Sequence, residues 1–215
     1  TGATPVIPPI PGINSKNILP LRTLEQADNI KEIIQNGNLQ KVTIVGAGLL
    51  GLEMAVAFKV LDLEVTLIEK MPQVLPTFSR EMAEIVETHL QNKNINLFLN
   101  REVKEFINNN NQVQQVKVKG ERPIKSDLVL ISTGIKPQVD LAQKVPLKTG
   151  KSGAIAVNQK METSSQDIYA AGDCAQSTNL ITGKPVWFPL GSTANKQGRV
   201  AGANAAGGNN EHRGI

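Results

Sequence analysis

The sequence Val42-Thr43-Ile44-Val45-Gly46-Ala47-Gly48-Leu49-Leu50-Gly51 places three glycines directly after a short apolar run. The run predicts a buried strand, and the apolar residues at 49–61 predict a helix. Gly46 would permit a tight turn, Gly48 would let a pyrophosphate approach the backbone, and Gly51 would let the helix pack closely on the strand. The pattern therefore predicts a strand, a glycine turn and a helix whose N-terminus binds phosphate.

An acidic residue follows the next predicted strand, which covers residues 65–68. Glu69 lies 23 positions after Gly46, at the spacing typical of a dinucleotide-binding unit. Its carboxylate can accept hydrogen bonds from both hydroxyls of an adenosine ribose and would repel a 2′-phosphate, so NAD is favoured over NADP. Lys70, the next residue, keeps NADP open. The alternative is a glycine turn in an unrelated α/β protein, and the acid at this spacing argues against it.

The surrounding sequence alternates between helical and strand periodicity, as an α/β fold does. Thr23 and Gln26 predict a capping box for a helix that ends at Asn36-Gly37. Further predicted elements are strands at 95–99 and 128–131, a hairpin of 103–107 and 113–118 with a polar tip at 108–111, and a helix with one apolar face formed by Met82, Ile85, Val86, His89 and Leu90. From about residue 150 the pattern changes, and it predicts strands at 154–157 and 168–171. A last helix, capped by Ser192, would run to about residue 206, with residues 207–210 fraying into coil.

Composition limits the possible classes of protein. Only 3% of residues are aromatic, so the core must consist of Val, Ile, Leu and Ala, as in the buried strands of a parallel sheet. The net charge of +4 is scattered, and the basic stretch at 117–125 contains no aromatic residue, which favours a solvated strand edge over a nucleic-acid site. No run approaches the roughly 20 apolar residues of a membrane span, and no His, Cys and carboxylate cluster has metal-ligand spacing. Cys174 is the single cysteine, which excludes an internal disulfide and, with the lack of a signal peptide, favours the cytoplasm.

A second pattern lies at residues 167–174. The sequence Asp167-Ile168-Tyr169-Ala170-Ala171-Gly172-Asp173-Cys174 predicts an apolar strand that ends at Gly172-Asp173. A carboxylate at the carboxyl end of a strand lies where open α/β sheets bind ligands. Taken alone, the pattern fits a simple turn better than a binding site.

Five segments together resemble the pyridine nucleotide-disulfide oxidoreductase superfamily, and within it the branch of NADH oxidases and coenzyme A-disulfide reductases. In the family's order they are residues 1–5, the glycine turn followed by Glu53, and residues 133–137, 168–174 and 189–199. The resemblance implies that NAD and FAD bind to two Rossmann-like domains. Residues 21–138 would form the NAD domain, inserted into an FAD domain to which residues 1–20 and 139–215 belong.

The resemblance also implies roles for single residues on the FAD side. Asp173, preceded by Gly172, would bond a ribityl hydroxyl of FAD. The segment with Pro189, Leu190 and Thr193 would place a helix N-terminus near the pyrimidine end of the flavin, where the helix dipole could stabilise a reduced, anionic flavin.

On the NAD side, Glu53 would lie near the contact of nicotinamide and flavin, and Gly134 would lie close to the dinucleotide. The plain alternatives are a surface helix residue for Glu53 and a simple turn glycine for Gly134. His89 and His212 have no predicted acid–base role; each would lie at the edge of the core or in solvent.

By the same resemblance, the full-length protein would be a homodimer that passes a hydride from NADH to FAD and then reduces a disulfide, a persulfide, oxygen or a peroxide. The redox-active cysteine and the first FAD glycine motif would lie upstream of this sequence, and Cys174 would be structural. We therefore expect no catalytic residue in this chain, no activity from the chain alone, and weak or no FAD binding. Two alternatives stay open: an NADH-dependent reductase that serves ferredoxin or rubredoxin, and a non-catalytic dinucleotide-binding module.

Overall fold

The computed structural model describes residues 2–215 and divides the chain into two compact units. The inserted unit covers residues 5–134, and the flanking unit combines the first residues, up to Thr4, with residues 135–215. The inserted unit thus begins well before residue 21, where the sequence predicts the boundary. The difference arises because Ile18–Pro20 forms a strand of its sheet and Ile10 and Ile13 pack against its core.

The elements are numbered in chain order. The strands are β1 Ala3–Pro5, β2 Ile18–Pro20, β3 Lys41–Val45, β4 Glu64–Ile68, β5 Asn96–Phe98, β6 Val103–Asn109, β7 Gln112–Val118, β8 Ile124–Lys125, β9 Leu128–Ile131, β10 Ile135–Pro137, β11 Ser177–Thr178 and β12 Pro185–Val186. The helices are α1 Leu24–Asn36, α2 Leu49–Val60, α3 Arg80–Asn92 and α4 Gly191–Ala205, with a 3-10 turn at Ala142–Lys144. Within residues 2–215, no helix combines the length and the apolar character that a membrane span requires.

The inserted unit is built on a five-stranded parallel sheet in the order β2-β9-β3-β4-β5. Neighbouring residues of each strand point to opposite faces. Ile44 and Leu67 pack with α1, α2 and α3 on one face, whereas Val45 and Ile68 pack with β6 and β7 on the other. Both faces are covered, so the strands are buried and mostly apolar, with Thr43 and Thr66 as buried polar exceptions. The predicted α/β fold of a parallel sheet with helices and a meander is confirmed.

Two local predictions in this unit are confirmed, the second with a shorter tip than predicted. The Thr23 side chain accepts from the N–H of Gln26 while the Gln26 side chain accepts from the N–H of Thr23, which completes the capping box of α1. The hairpin of β6 and β7 turns at Asn110 and Asn111, with φ angles of 49° and 61°. Two consecutive left-handed residues match the tight turn that follows the twist of paired strands, so the tip is shorter than the predicted 108–111.

The predicted apolar face of α3 is only partly confirmed. Leu90 is buried and Val86 packs against the core, but Met82 and Ile85 are exposed, and the helix also buries Ala83 and Glu87. The Glu87 carboxylate accepts from the Arg80 guanidinium at 2.9 Å and from the N–H of Val74 at 3.2 Å. Hydrogen bonds to a buried carboxylate offset the loss of its hydration, so a polar residue can occupy a core-facing position that the apolar periodicity does not reveal.

The flanking unit has less regular structure than the sequence predicts. Residues 154–157 and 168–171 are not strands; they form only isolated bridges, at Ile155 and Tyr169. Met161 and Asp167, between them, have positive φ angles of 64° and 61°. These turns redirect the chain after single paired residues, so no ladder extends.

The predicted end of α4 near residue 206 is confirmed, but the predicted cap and the predicted fraying after the helix differ from the structure. Leu190 is the N-cap, so Ser192 lies inside the first turn and no side chain caps the helix. At the other end, Gly207 has a φ of 88°, and the N–H of Gly208 donates to the carbonyl of Ala203 at 2.9 Å. This is a Schellman motif, which ends the helix in a defined turn rather than in frayed coil.

The two ends of the inserted unit lie side by side. The N–H of Val6 donates to the carbonyl of Gly134 at 2.9 Å, and the Thr133 hydroxyl donates to the carbonyl of Val6 at 2.8 Å. In the flanking unit, β1 and β10 form a two-stranded sheet. Residues 6 and 134, near the two ends of the inserted unit, are therefore neighbours in space.

Candidate functional site

A pocket of about 910 Å³ lies in the inserted unit at the carboxyl ends of three neighbouring parallel strands. Carboxyl ends of parallel strands are where open α/β sheets bind ligands. Gly46 and Gly48 follow β3, Glu69 and Lys70 follow β4, and Gly134 follows β9. The remaining lining residues are Val6, Pro8, Pro9, Ile10, Pro11, Val45, Ile68, Met71, Pro76, Thr77, Arg101, Glu102, Val103, Lys104, Ser132 and Thr133.

The three glycines of the turn have different steric surroundings. Gly46 has a φ of +105°, and a Cβ there would lie 2.2 Å from the carbonyl oxygen of Ser132. A Cβ on Gly51 would lie 2.1 Å from the carbonyl oxygen of Gly46, so α2 packs directly on the turn. A Cβ on Gly48 would meet no atom within 4 Å, so this glycine leaves space for a ligand instead of for the protein.

Helix α2 begins at this space without a side-chain cap. Gly48 is the N-cap, and the first bond of the helix runs from the N–H of Leu52 to the carbonyl of Gly48 at 3.0 Å. The amides of Leu49, Leu50 and Gly51 precede that bond and have no acceptor inside the helix. Together with the helix dipole, they favour an anionic group at this position.

Glu69 holds the turn in place. Its side chain is buried, with an exposed fraction of 8%. One carboxylate oxygen accepts from the N–H of Ala47 at 2.7 Å, and the other accepts from the N–H of Met71 at 2.8 Å. Each oxygen of an ionised carboxylate has two acceptor positions, so both can accept one further hydrogen bond, for example from a ribose hydroxyl.

Beyond Glu69 the pocket is lined by four charged residues, which we call the charged wall: Lys70, Arg101, Glu102 and Lys104. Glu102 accepts from Lys70 at 3.1 Å through one oxygen and from Lys104 through the other. The Lys104 and Lys70 ammonium groups lower the pKa of this carboxyl to about 2. The Arg101 guanidinium pairs with Glu121 at 2.7 Å. The sequence predicted Lys70 at this site but not Arg101, Glu102 and Lys104; the signal for these three was their position just after β5, at the carboxyl end of a parallel strand.

The other predicted residues of this site do not line the pocket. Ala47 is completely buried, and Gly51 lies behind the turn. Leu49 and Leu50 form the first turn of α2, with Leu49 half exposed. Glu53 points to solvent from the same helix. The contact of any of these residues with a cofactor stays a prediction.

The flanking unit brings its predicted residues together through Gln197. Gly172, with a φ of 82°, donates its N–H to the Gln197 side-chain oxygen at 2.9 Å. The Gln197 amide donates in turn to the carbonyl of Gln176 at 2.9 Å. These bonds hold the Gly172-Asp173 turn against α4, where a Cβ on Gly172 would lie 3.5 Å from the Cβ of Ala194.

The start of α4, like the starts of α2 and α3, has no side-chain cap. Leu190 is partly exposed at the N-cap, and Pro189 precedes it. Thr193 is buried in the first turn. The carbonyl of Asp173 accepts from the Trp187 indole at 2.8 Å, which fixes the backbone beside this helix.

Two other sequence predictions concern single side chains. Cys174 is buried, and its thiol donates to the carbonyl of Ala171 at 3.3 Å, as a structural cysteine would. His212 is buried as well, not solvated, and its ring lies 3.2 Å from the Ser177 hydroxyl. Burial, and then the charge of Lys196, lower the pKa of His212. The part of the chain at 2–215 contains no group of His, Cys, Asp and Glu that could hold a metal ion.

Comparison with known proteins identifies close relatives of this sequence. Residues 1–204 match the family model described as pyridine nucleotide-disulphide oxidoreductase. The chain is 41% identical over 208 residues to an NADH oxidase of Methanocaldococcus jannaschii, covering 96% of this chain and 46% of that protein. It is 41% identical over 215 residues to a CoA-dependent NAD(P)H sulfur oxidoreductase of Pyrococcus furiosus, covering 100% of this chain and 48% of that protein.

A solved structure is also similar to this chain in both sequence and fold. The NAD-dependent persulfide reductase from A. fulgidus is 42% identical, with a TM-score of 0.95 over 100% of this chain and 40% of that one. The chain therefore spans about half the length of the curated relatives it matches. The similarity extends over both compact units, because the matched region runs from the first residues into α4.

Proposed function

Because this chain belongs to the pyridine nucleotide-disulphide oxidoreductase family, we propose that its inserted unit binds NADH and that its flanking unit contributes to FAD binding in the full-length protein. The family inferred from the sequence is confirmed by the match over residues 1–204. The observation that carries the proposal is the uncapped start of α2 beside Gly48, at the mouth of a pocket that also contains Glu69.

The phosphate end of the dinucleotide is assigned to α2. The pyrophosphate would accept hydrogen bonds from the amides at the start of the helix, and the dipole would stabilise its negative charge. Gly48 supports this assignment because the space beside its backbone is open to a ligand. Gly46 and Gly51 support it indirectly, since they allow the turn and the close packing that hold these amides in position.

The adenosine ribose is assigned to Glu69. Its carboxylate is already oriented by the N–H groups of Ala47 and Met71, so it does not have to be ordered when the ligand binds. A preorganised acceptor reduces the entropic cost of binding. Gly134, which has a φ of +113° and open space at its Cβ position, would allow the dinucleotide to approach the backbone after β9.

The flanking unit offers groups that suit a flavin. The uncapped start of α4 presents backbone N–H groups beside Pro189, Leu190 and Thr193, and these would bind the pyrimidine end of the flavin. Asp173, held beside α4 by the Gln197 contacts of Gly172, would bond a ribityl hydroxyl. When bound, FAD would supply the two-electron chemistry that accepts the hydride from NADH.

The terminal acceptor is proposed from the relatives. Their names report NADH oxidation and CoA-dependent sulfur reduction, which support a disulfide, persulfide, oxygen or peroxide acceptor for the full-length protein. Cys174 is buried and its thiol donates to the carbonyl of Ala171, which supports the proposal that it is structural and that the redox thiol lies elsewhere. We also propose a cytoplasmic homodimer; the single cysteine supports a reducing compartment.

The first test is a calorimetric titration of the chain with NADH, comparing the wild type with Gly48→Asp. Aspartate suits the N-cap of a helix and the Gly48 backbone, with a φ of −76°, so the variant should fold with unchanged or slightly higher stability. Its charge would oppose the pyrophosphate, and like charges in close contact cost several kcal/mol. We expect the Kd for NADH to rise by more than about 100-fold.

Gly202→Ala is the matched control. Gly202 lies in α4 with no atom within 4 Å of its Cβ position, so the added methyl group is also tolerated, but it is far in sequence from the pocket residues. Its Kd for NADH should equal that of the wild type. If Gly48→Asp is folded and binds NADH as tightly as the wild type, the assignment of the pyrophosphate to α2 is wrong.

A further inference from the structure

The charged wall of the pocket is joined by its backbone to the strand end that carries Glu69. The N–H of Arg101 donates to the carbonyl of Glu69 at 2.9 Å, and the N–H of Asn100 donates to the carbonyl of Met71 at 3.0 Å. Glu102 directly follows this junction and lines the same pocket. The wall therefore has a fixed position beside the carboxylate to which the ribose is assigned.

Two lysines of the wall converge on one acid. The Lys70 ammonium lies 3.1 Å from one oxygen of Glu102, and the Lys104 ammonium contacts the other oxygen. Lys70 itself is largely exposed, with 72% of its side chain accessible. Long, exposed lysine side chains reorient easily, so both ammonium groups could turn to another anion if Glu102 carried no charge.

The third cation of the charged wall, Arg101, forms an ion pair with a residue other than Glu102. Arg101 pairs with Glu121 at 2.7 Å, with both side chains partly buried. The pocket thus contains three cations, Lys70, Arg101 and Lys104, against the carboxylates of Glu69 and Glu102. Because the pKa of Glu102 is about 2, its negative charge persists throughout the neutral pH range.

We propose that Glu102 is a specificity-determining residue, which disfavours dinucleotides with a 2′-phosphate by neutralising Lys70 and Lys104 at the ribose end of the pocket. A 2′-phosphate on the ribose beside Glu69 needs a cation to offset the repulsion of that carboxylate. Glu102 both pairs with two of the ammonium groups that line the pocket and adds a second negative charge. The inference rests on the proposed function, because it assumes that the ribose lies at Glu69.

The test compares NADH and NADPH binding to the chain and to Glu102→Gln by calorimetry. The ion pairs of Glu102 are exposed, so their loss should leave the thermal stability nearly unchanged. The freed lysines should strengthen NADPH binding about tenfold relative to NADH binding. This gain should shrink at about 0.5 M salt, because the interaction depends on exposed charges.

Two further variants isolate the cause. Glu105→Gln removes an equal charge from β6, three residues after Glu102, but Glu105 pairs with Lys117 at 3.3 Å and does not line the pocket, so the ratio of the two Kd values should stay at the wild-type value. Adding Lys70→Met to Glu102→Gln should reduce the gain in NADPH binding, because only one of the two freed ammonium groups then remains.

The outcomes separate the two proposals. If the wild type binds NADH but Glu102→Gln leaves the ratio of Kd values unchanged, or Glu105→Gln changes it equally, Glu102 is not the selector and the proposed function stands. If the folded wild type binds neither dinucleotide, the proposed function is wrong, and the inference is overturned with it.

Discussion

Glu69 in the inserted unit and Gln197 in the flanking unit have similar structural roles but form hydrogen bonds with different backbone groups. Each is a buried polar residue that holds a glycine-containing turn against a neighbouring element. Glu69 accepts from two backbone N–H groups, whereas Gln197 accepts from the N–H of Gly172 and donates to the carbonyl of Gln176. A carboxylate can only accept, while a side-chain amide accepts and donates.

The comparison teaches that the backbone dictates the chemical type of each side chain. Two donors require a carboxylate at Glu69, and one donor with one acceptor requires an amide at Gln197. Glu and Gln are nearly isosteric. Glu69→Gln would nevertheless place a side-chain donor against a backbone N–H, and Gln197→Glu would place a carboxylate oxygen against a backbone carbonyl, in both cases at a buried site. The acid at the end of β4 is therefore a structural residue as well as the group assigned to the ribose.

The largest effect is expected from Gln197→Glu. Only 1% of Gln197 is exposed, and a carboxylate there would face the carbonyl oxygen of Gln176 without a donor. An unpaired buried charge costs about 3–5 kcal/mol, and we expect the free energy of unfolding at pH 7 to fall by about that amount. Burial raises the pKa of an unpaired carboxyl, and the protonated form can donate, so the loss should be smaller at pH 5. Urea unfolding of both proteins at pH 7 and pH 5 measures the loss in free energy of unfolding.

Asn195→Asp is the control for Gln197→Glu, since it adds the same charge to an exposed position of the same helix. It should change the free energy of unfolding by less than about 0.5 kcal/mol. Equal losses from the two variants, or a loss from Gln197→Glu that does not depend on pH, would contradict the argument from donors and acceptors.

The second effect is expected from Glu69→Gln. An amide offers one acceptor oxygen, so its NH2 group would face the N–H of either Ala47 or Met71. A buried donor left without a partner costs about 1–3 kcal/mol, which we expect as the loss in free energy of unfolding, together with weaker NADH binding. Chemical unfolding and NADH titration of the same sample measure the two effects.

Glu64→Gln tests the same exchange at the exposed start of β4, where Glu64 pairs with Lys41 at 2.8 Å. Exposed ion pairs contribute about 0–1 kcal/mol, so this variant should be nearly neutral and should bind NADH normally. If Glu69→Gln is as mild as Glu64→Gln, the two N–H contacts of Glu69 do not determine the stability of the turn.

The smallest effect concerns His212, a buried neutral group in the same unit as Gln197. Burial and the charge of Lys196 lower its pKa from the ordinary value of 6.5, so the unfolded chain takes up a proton at a higher pH than the folded chain does. The stability linked to His212 is present above about pH 6.5 and is lost as the pH falls below it. We expect a small decrease in Tm between pH 7 and pH 5, measured by circular dichroism, and a smaller decrease for His212→Gln. An identical pH dependence in both proteins would exclude this linkage.

The sequence was most informative where the determinants are close together along the chain. The turn from Gly46 to Gly51 follows from steric requirements of neighbouring residues, and Glu69 lies at a spacing set by one helix and one strand. Arg101, Glu102 and Lys104 of the charged wall were not predicted, because their place in the pocket depends on where β5 ends and on backbone bonds to the end of β4. Residues that meet only through sheet order leave a weak local signal.

Predictions were least accurate where side chains replace backbone pairing. Glu87 occupies the buried face of α3 through contacts that apolar periodicity does not reveal. In the flanking unit, Gln197 bonds to the carbonyl of Gln176 and Asn204 bonds to the carbonyl of Lys160, partners that are 21 and 44 residues away in sequence. Such contacts stabilise turns and isolated bridges. The apolar runs in these segments resemble those of short strands, so the sequence predicted strands there.

The adjacent ends of the inserted unit have a consequence for the order of folding during synthesis. Strand β10 leaves the ribosome only after residues 5–134 have been made, so β1 must wait for its partner. Pairing across so long an unfolded loop carries an entropic cost, but the contact of Val6 with Gly134 brings the two ends together once the inserted unit has folded. Folding of the inserted unit is therefore expected to come first and to shorten the loop that separates β1 from β10.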